Sequence, residues 1–233
     1  MSTITITGLY GSGANEIGMK VAQSLQYYYV DRQILSEAAQ QLRSTLEEVT
    51  EITERPINIS EKLTGFFRNM LERSAMSGSA VDPYFGGGMD MLLVREYRDF
   101  SNSESSDGKD ARLLNILSNV INRVADSGNS VIIGRGANML LSGRSDSFHI
   151  GLIASYEDRV KRIMDREKID IAADAEKYIS ENDVARASFF QRFFGVDPTD
   201  PKQYHMVLNC SALGESNVVQ QICDLSKISI KPN

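Results

Sequence analysis

Thr3-Ile4-Thr5-Ile6-Thr7-Gly8-Leu9-Tyr10-Gly11-Ser12-Gly13-Ala14-Asn15-Glu16 is the stretch that decides the fold of this chain. A short β-branched run leads into three glycines, and Ile17, Val21 and Leu25 then recur at helical spacing. Strand, glycine turn and helix in that order form a phosphate-binding loop. Glycine permits positive φ, so several N–H groups can face one anion, and the positive end of the following helix adds attraction. The usual loop reads G-x-x-x-x-G-K-[ST]. Gly8 and Gly13 hold its two glycine positions, but Ala14 stands where the lysine belongs and Asn15 where the metal-binding hydroxyl belongs. An ordinary strand-to-helix turn is the other reading of these glycines. Their placement directly between a strand and an amphipathic helix favours phosphate.

Working outward, four more runs read as strands: Tyr27–Val30, Ser130–Ile133, His149–Ile153 and His205–Leu208. Helical periodicity fills the gaps. Ile34, Leu35, Ala38, Ala39 and Leu42 mark one helix, and Ser44 with Glu47 forms a capping box for another. Leu63, Phe66, Phe67, Met70 and Leu71 make an apolar stripe. Leu113, Leu117, Val120, Ile121 and Val124 make a second, ended by Gly128 at the C′ position. Strands alternating with helices predict an α/β fold with a five-stranded parallel sheet between helical layers. Right-handed crossovers then bring every strand C-terminus to one edge, where ligands bind. Ser77–Gly88 and Ser101–Asp110, rich in Gly, Ser and Asp, bracket a helical stretch at Met89–Phe100. Residues 44–110 therefore read as an insert on a single domain spanning 1–233. Gly86-Gly87-Gly88 is either a plain loop or a hinge for closure.

A formal net charge of −6 argues against a general nucleic-acid-binding surface. Two cysteines, Cys210 and Cys223, imply no disulfide framework and point to a reducing, cytoplasmic compartment. The N-terminal strand is not a signal peptide, and no apolar run reaches the ~20 residues of a membrane helix. The sequence neither demands nor forbids a homo-oligomer.

Several landmarks follow the loop in order. They are Tyr28-Tyr29-Val30-Asp31-Arg32, Val131-Ile132-Ile133-Gly134-Arg135-Gly136-Ala137-Asn138, Ala154 to Arg162, Asp183 with Arg186, and Leu208-Asn209-Cys210-Ser211. Together they resemble the cytidylate kinase-like family, a branch of the P-loop nucleoside monophosphate kinases. The likeness covers most of the chain and is weak across residues 55–110. It implies a three-layer P-loop fold with an NMP-binding helical insert and an arginine-bearing lid, here residues 159–195. It also implies transfer of phosphate from ATP, with Mg²⁺, to a nucleoside monophosphate such as CMP. Relatives often carry Gly-Ser-Gly-Gly-Arg-Glu in the loop, and cytidylate kinases proper carry Gly-Arg-Asp. This chain has Gly11-Ser12-Gly13-Ala14-Asn15-Glu16 and Gly134-Arg135-Gly136, so both the loop arginine and that carboxylate are absent.

The candidate residues follow. Gly8, Gly11, Ser12, Gly13, Ala14 and Asn15 would hold the ATP phosphates, and the resemblance alone places Asn209 near the adenine. Asn15 either offers a carbonyl oxygen to Mg²⁺ through water or caps the helix. Asp31 sits at a strand end, and the resemblance puts it near the acceptor or the metal; an N-cap is its local alternative. Arg32 either reaches the acceptor phosphate or is solvated. Arg135, flanked by two glycines after a buried-looking strand, is suited to grip two phosphate oxygens, with an edge ion pair as the alternative. Arg159, Arg162 and Arg166 share one helix face, so something anionic must compensate them. Arg159, Arg166 and Arg186 are candidates for the transferring phosphate, with Arg162 also read as a solvated charge. Phe189, Phe190, Phe193 and Phe194 read as packing. His149 and His205 stand at strand starts and receive no role. Two functions remain open: a nucleoside monophosphate kinase, or a nucleotide-binding protein without turnover that serves as a sensor or partner-binding subunit.

Overall fold

The computed structural model describes residues 3–31, 35 and 107–226. The segments expected to form the helices near Ile34, Ser44, Leu63 and Met89, the Gly86–Gly88 joint and Arg32 lie outside the described residues.

The chain opens with β1 (Thr3–Gly8), the glycine loop, α1 (Ala14–Leu25) and β2 (Tyr28–Val30). The described chain resumes with α2 (Asp107–Ser127), followed by β3 (Ser130–Ile133), the short α3 (Ala137–Leu140) and β4 (Ser147–Ile153). Two long helices follow, α4 (Tyr156–Glu167) and α5 (Ala172–Phe194). β5 (Met206–Asn209), α6 (Cys210–Leu213) and α7 (Glu215–Leu225) complete the described chain. All five strands pair in parallel, in the order β2-β3-β1-β4-β5. Gly128 takes the left-handed conformation (φ 69°) after α2, as its C′ position predicts.

β1 lies in the middle of the sheet, and its alternation is not an alternation of core and solvent. Ile4 and Ile6 pack with Ile17 and Val21 of α1 and with Val218 and Ile222 of α7. Full burial of each such side chain contributes about 2 kcal/mol. The threonines point to the opposite face and are buried as well. There Thr3 Oγ1 meets Ser130 Oγ (3.3 Å) and Thr5 Oγ1 meets His149 Nδ1 (2.8 Å). A parallel sheet covered on both faces leaves no wet side, so polar members need internal partners. On that second face, Leu117, Val120, Ile121 and Val124 of α2 pack with Ala137, Leu141 and with Phe189 and Phe190 of α5. The phenylalanines are thus core, as expected. Among the described residues no helix is long and apolar enough to cross a membrane.

The two histidines, distant in sequence, meet. The His149 ring stacks on His205 at 4.8 Å, and the His149 main-chain N–H donates to His205 Nδ1 (2.9 Å). Burial first, and the His205 charge second, push the His149 imidazole from 6.5 down to about 4. The unfolded chain therefore takes up a proton between those values that the folded chain refuses. Stability is full above about pH 6.5 and falls as pH drops toward 4, by up to about 3 kcal/mol. Urea midpoints of wild type and His149→Gln, compared from pH 7 to 4.5, should diverge, with the variant losing less. Equal acid sensitivity would show that His149 does not carry the effect.

Candidate functional site

The chain leaves β1 at the carboxyl edge of the sheet and turns at once into the loop. Gly8 is glycine because a Cβ there would collide with Ser12 Oγ and lie 2.5 Å from the Leu152 carbonyl oxygen. Gly13 has φ 93° and precedes α1 as its N-cap, with no side-chain cap bond. Ser12 N–H is used within the loop, on the Leu9 carbonyl (2.9 Å). Among the described residues, no backbone carbonyl takes the N–H of Gly11 or Gly13. Helix geometry leaves the N–H groups of Ala14 and Asn15 without intrahelical partners as well. Asn15 is therefore not the helix cap; it lies exposed in the first turn.

A cavity of about 380 Å³ opens above this loop. Its lining brings together Gly8, Gly11, Ser12, Gly13, Ala14 and Asn15 with Asp31, Arg135, Arg166 and Arg186. Two expected residues stand apart from it. Asn209 Oδ1 accepts from the N–H groups of Ser211 and Ala212 (3.1 and 3.2 Å), capping α6. Arg159, 6 % exposed, donates from Nε to the Tyr10 carbonyl (2.8 Å) and pairs with Asp183. Asp183 in turn accepts the Tyr10 N–H (2.9 Å).

The chemistry of the lining is anion-seeking. Arg135 is 4 % exposed and sits in the left-handed region at φ 56°, between Gly134 (φ 68°) and Gly136 (φ 69°). Arg186 is 5 % exposed and lies over the Phe190 ring (5.2 Å). Its Nη2 reaches only neutral acceptors: Tyr204 Oη (3.2 Å), the Pro198 carbonyl (3.3 Å) and Thr7 Oγ1 (3.4 Å). Its Nε has no partner, and among the described residues no carboxylate pairs with it. Ser12 Oγ is also buried without a partner. So is Asn182 Oδ1 on the lining of the cavity, whose amide orientation is fixed by Nδ2 donating to the Tyr178 carbonyl (2.8 Å). Buried polar groups of this kind are costly unless a ligand completes them. Arg166 is more exposed; it donates to Glu167 Oε1 (2.8 Å) and to Tyr10 Oη (2.8 Å) and stacks over the Tyr10 ring.

The residues fit phosphate and a hydrated Mg²⁺. Mg²⁺ is commonly held by one or two carboxylates, water and substrate phosphates rather than by an all-protein cage. Among the described residues no cluster of three or more acidic, His or Cys side chains gathers, whereas Asp31 and Asn15 line the cavity above the loop. Burial first, then the charges of Asp31 and Glu16, raise the Tyr29 phenol above its ordinary value.

The three arginines on one face of α4 have different partners: Arg159 pairs with Asp183, Arg166 with Glu167, and Arg162 reaches the loop. Arg162 Nη1 donates to the Gly11 carbonyl, next to the Arg159 contact on Tyr10. The sequence left Arg162 between a lid arginine and a solvated charge, marked Asp183 only as a landmark beside Arg186, and gave Tyr10 and Asn182 no role. The i, i+3 spacing of Arg159 and Arg162 opposite a loop without lysine was the available signal.

Comparison with known proteins follows the same lines. A 99-residue stretch is 31 % identical to the cytidylate kinase of Methanopyrus kandleri, covering 39 % of this chain and 51 % of that protein. The match thus spans about half the length of the curated relative. The fold is similar to that of an uncharacterized protein from Eubacterium ventriosum, at a TM-score of 0.63 and 15 % identity over 97 % of this chain and 98 % of the other. Shikimate kinase from Bacteroides thetaiotaomicron aligns at a TM-score of 0.48 and 14 % identity, over 97 % and 99 % of the two chains. The sequence model of the cytidylate kinase-like family matches residues 3–212, and the chain belongs to that family.

Proposed function

We propose that this protein transfers the terminal phosphoryl group of ATP to a nucleoside monophosphate, with CMP the first acceptor to test. The observation that carries this reading is a buried guanidinium with no carboxylate in contact, Arg186, lining the same cavity as a glycine loop; Asp197 exchanges only a longer-range attraction with it. Membership of the kinase-like family supports nucleotide phosphoryl transfer in general. In this reading Gly8 to Asn15 hold the ATP phosphates, and Asn209 lies toward the adenine. Arg135 takes the acceptor phosphate, with Asp31 and Arg32 beside it. Arg166 and Arg186 meet the transferring group, where fixed positive charge lowers the barrier. Arg159 acts on the same step by holding Tyr10. Asn15 and Asp31 would hold Mg²⁺ through water, and the ion would offset phosphate charge.

Ala14 favours a second reading, in which the protein binds nucleotide without turnover and acts as a sensor or partner-binding subunit. One experiment separates the two: ADP release with ATP, Mg²⁺ and a panel of nucleoside monophosphates, run beside a thermal-shift titration with ATP. Turnover with a monophosphate, CMP foremost, is the expected result. A thermal shift without turnover would leave the binding reading in place. Neither signal at millimolar ATP would remove both.

A further inference from the structure

We infer that Arg162 supplies the glycine loop, from behind, with the positive charge that Ala14 cannot provide. This rests on the loop being the phosphate site for ATP. Three observations converge on it. The Arg162 guanidinium donates from Nη1 to the Gly11 carbonyl. It also lies close against the loop: a Cβ built on Gly13 would stand 3.3 Å from Arg162 Cζ and 3.5 Å from Nη1. That is one residue from the position where a phosphate loop ordinarily carries its lysine. Lastly, among the described residues Arg162 forms no ion pair, and Asp158, one turn away on α4, exchanges only a longer-range attraction with it.

The neighbouring arginine shows why the charge is assigned to Arg162. Arg159 is neutralised by Asp183, and the two together hold both polar groups of the Tyr10 main chain. They form a clamp with no net charge. The α4 backbone is pressed against the same turn, since a Cβ on Gly11 would stand 3.1 Å from the Arg159 carbonyl oxygen. The loop is thus gripped at residue 10 by a neutral pair and at residue 11 by an uncancelled cation. A guanidinium on the Gly11 carbonyl turns that oxygen away from the phosphate side and places positive potential behind Gly13 and Ala14. Arg162 is in this sense a positioning residue, acting through the loop backbone, and it also answers what keeps an arginine at this place on α4.

The test is a cycle of variants read by calorimetric titration with Mg·ATP and, separately, inorganic pyrophosphate. Arg162→Met should weaken both ligands about tenfold or more, while Arg162→Lys should lose less because it keeps the charge. Ala14→Lys alone should bring no gain, since the charge is already present. In the Arg162→Met background, Ala14→Lys should recover most of the lost affinity, which a purely structural role for Arg162 would not permit. Unchanged affinity in Arg162→Met, failure of the lysine to rescue it, or a loss for ATP but not for pyrophosphate would each overturn the inference while leaving the kinase reading standing. Should Arg162→Met fail to fold, Ala14→Lys in the wild type decides: a tenfold gain in affinity overturns the inference, and no gain supports it. A wild-type protein that binds neither ligand would overturn both.

Discussion

Arg186→Met should melt higher than wild type and yet lose phosphoryl transfer by about 10²-fold in kcat. The two halves of this result come from one observation. The Arg186 guanidinium is buried, is met by neutral oxygens at 3.2–3.4 Å, and has an Nε without a partner. Burying a cation with no carboxylate in contact is unfavourable, Asp197 attracting it only at longer range, and replacing buried charge with a well-packed apolar group is often neutral or stabilising by about 1 kcal/mol or more. Little is orphaned by the change, because Tyr204 Oη keeps its own bond to the Pro198 carbonyl (2.6 Å). In a domain of this size about 1 kcal/mol corresponds to roughly 2–4 °C in Tm. The compensating anion is, in this reading, the phosphoryl group in flight, and removing one preorganised donor for developing charge costs about 10²–10³-fold. Melting curves with and without pyrophosphate add an independent check: the anion should stabilise wild type more than the variant. A variant that melts lower and responds equally to pyrophosphate would make Arg186 a structural cation of the core.

How much of this was legible beforehand depends on what each residue needed. All five strands were readable because each is a short β-branched or apolar run bounded by turn residues, and β1 with its glycines marked the sheet edge where the cavity opens. Gly8 to Asn15, Asp31, Arg135, Arg166 and Arg186 meet in one cavity because each lies at a strand end or on the helices that overhang it. What was not legible needed a partner far away in the chain. The Arg159–Asp183 pair forms only once α4 and α5 pack side by side over Tyr10, so nothing local distinguishes Arg159 from a phosphate-facing arginine. The His149–His205 stack depends on the loop before β5 returning beside β4. The threonines of β1 look like a solvent-facing row until α2 and α5 cover that side. Asn209 shows the converse: the sequence ended the last strand at Leu208, whereas the structure makes Asn209 its last residue, and the local capping bonds to Ser211 and Ala212 became visible only with the backbone turn.

Arg135→Asn should raise the KM for the acceptor by about 10²-fold, leave kcat within a few-fold, and change stability by no more than about 1 kcal/mol. The reasoning starts from the backbone. Arg135 holds φ 56° in a run of three left-handed residues, a conformation that costs a non-glycine side chain about 1–2 kcal/mol. Asparagine tolerates that conformation better than most residues, so the substitution relieves strain while giving up some packing. A strained arginine at the carboxyl edge of β3, lining the cavity above the glycine loop, points to a use for its side chain. Two charge-assisted hydrogen bonds to a phosphate contribute about 3 kcal/mol together, which is about 10² in affinity. Because Arg135 follows directly on the rigid sheet, the contact should be made equally in the ground state and the transition state, so its loss falls on KM. Arg135→Lys sharpens the test, since it keeps the charge but loses the planar two-point grip and should raise KM only about tenfold. If the KM for ATP moves instead, Arg135 belongs to the donor side of the cavity; if kcat alone falls, it belongs with Arg186 on the transferring group.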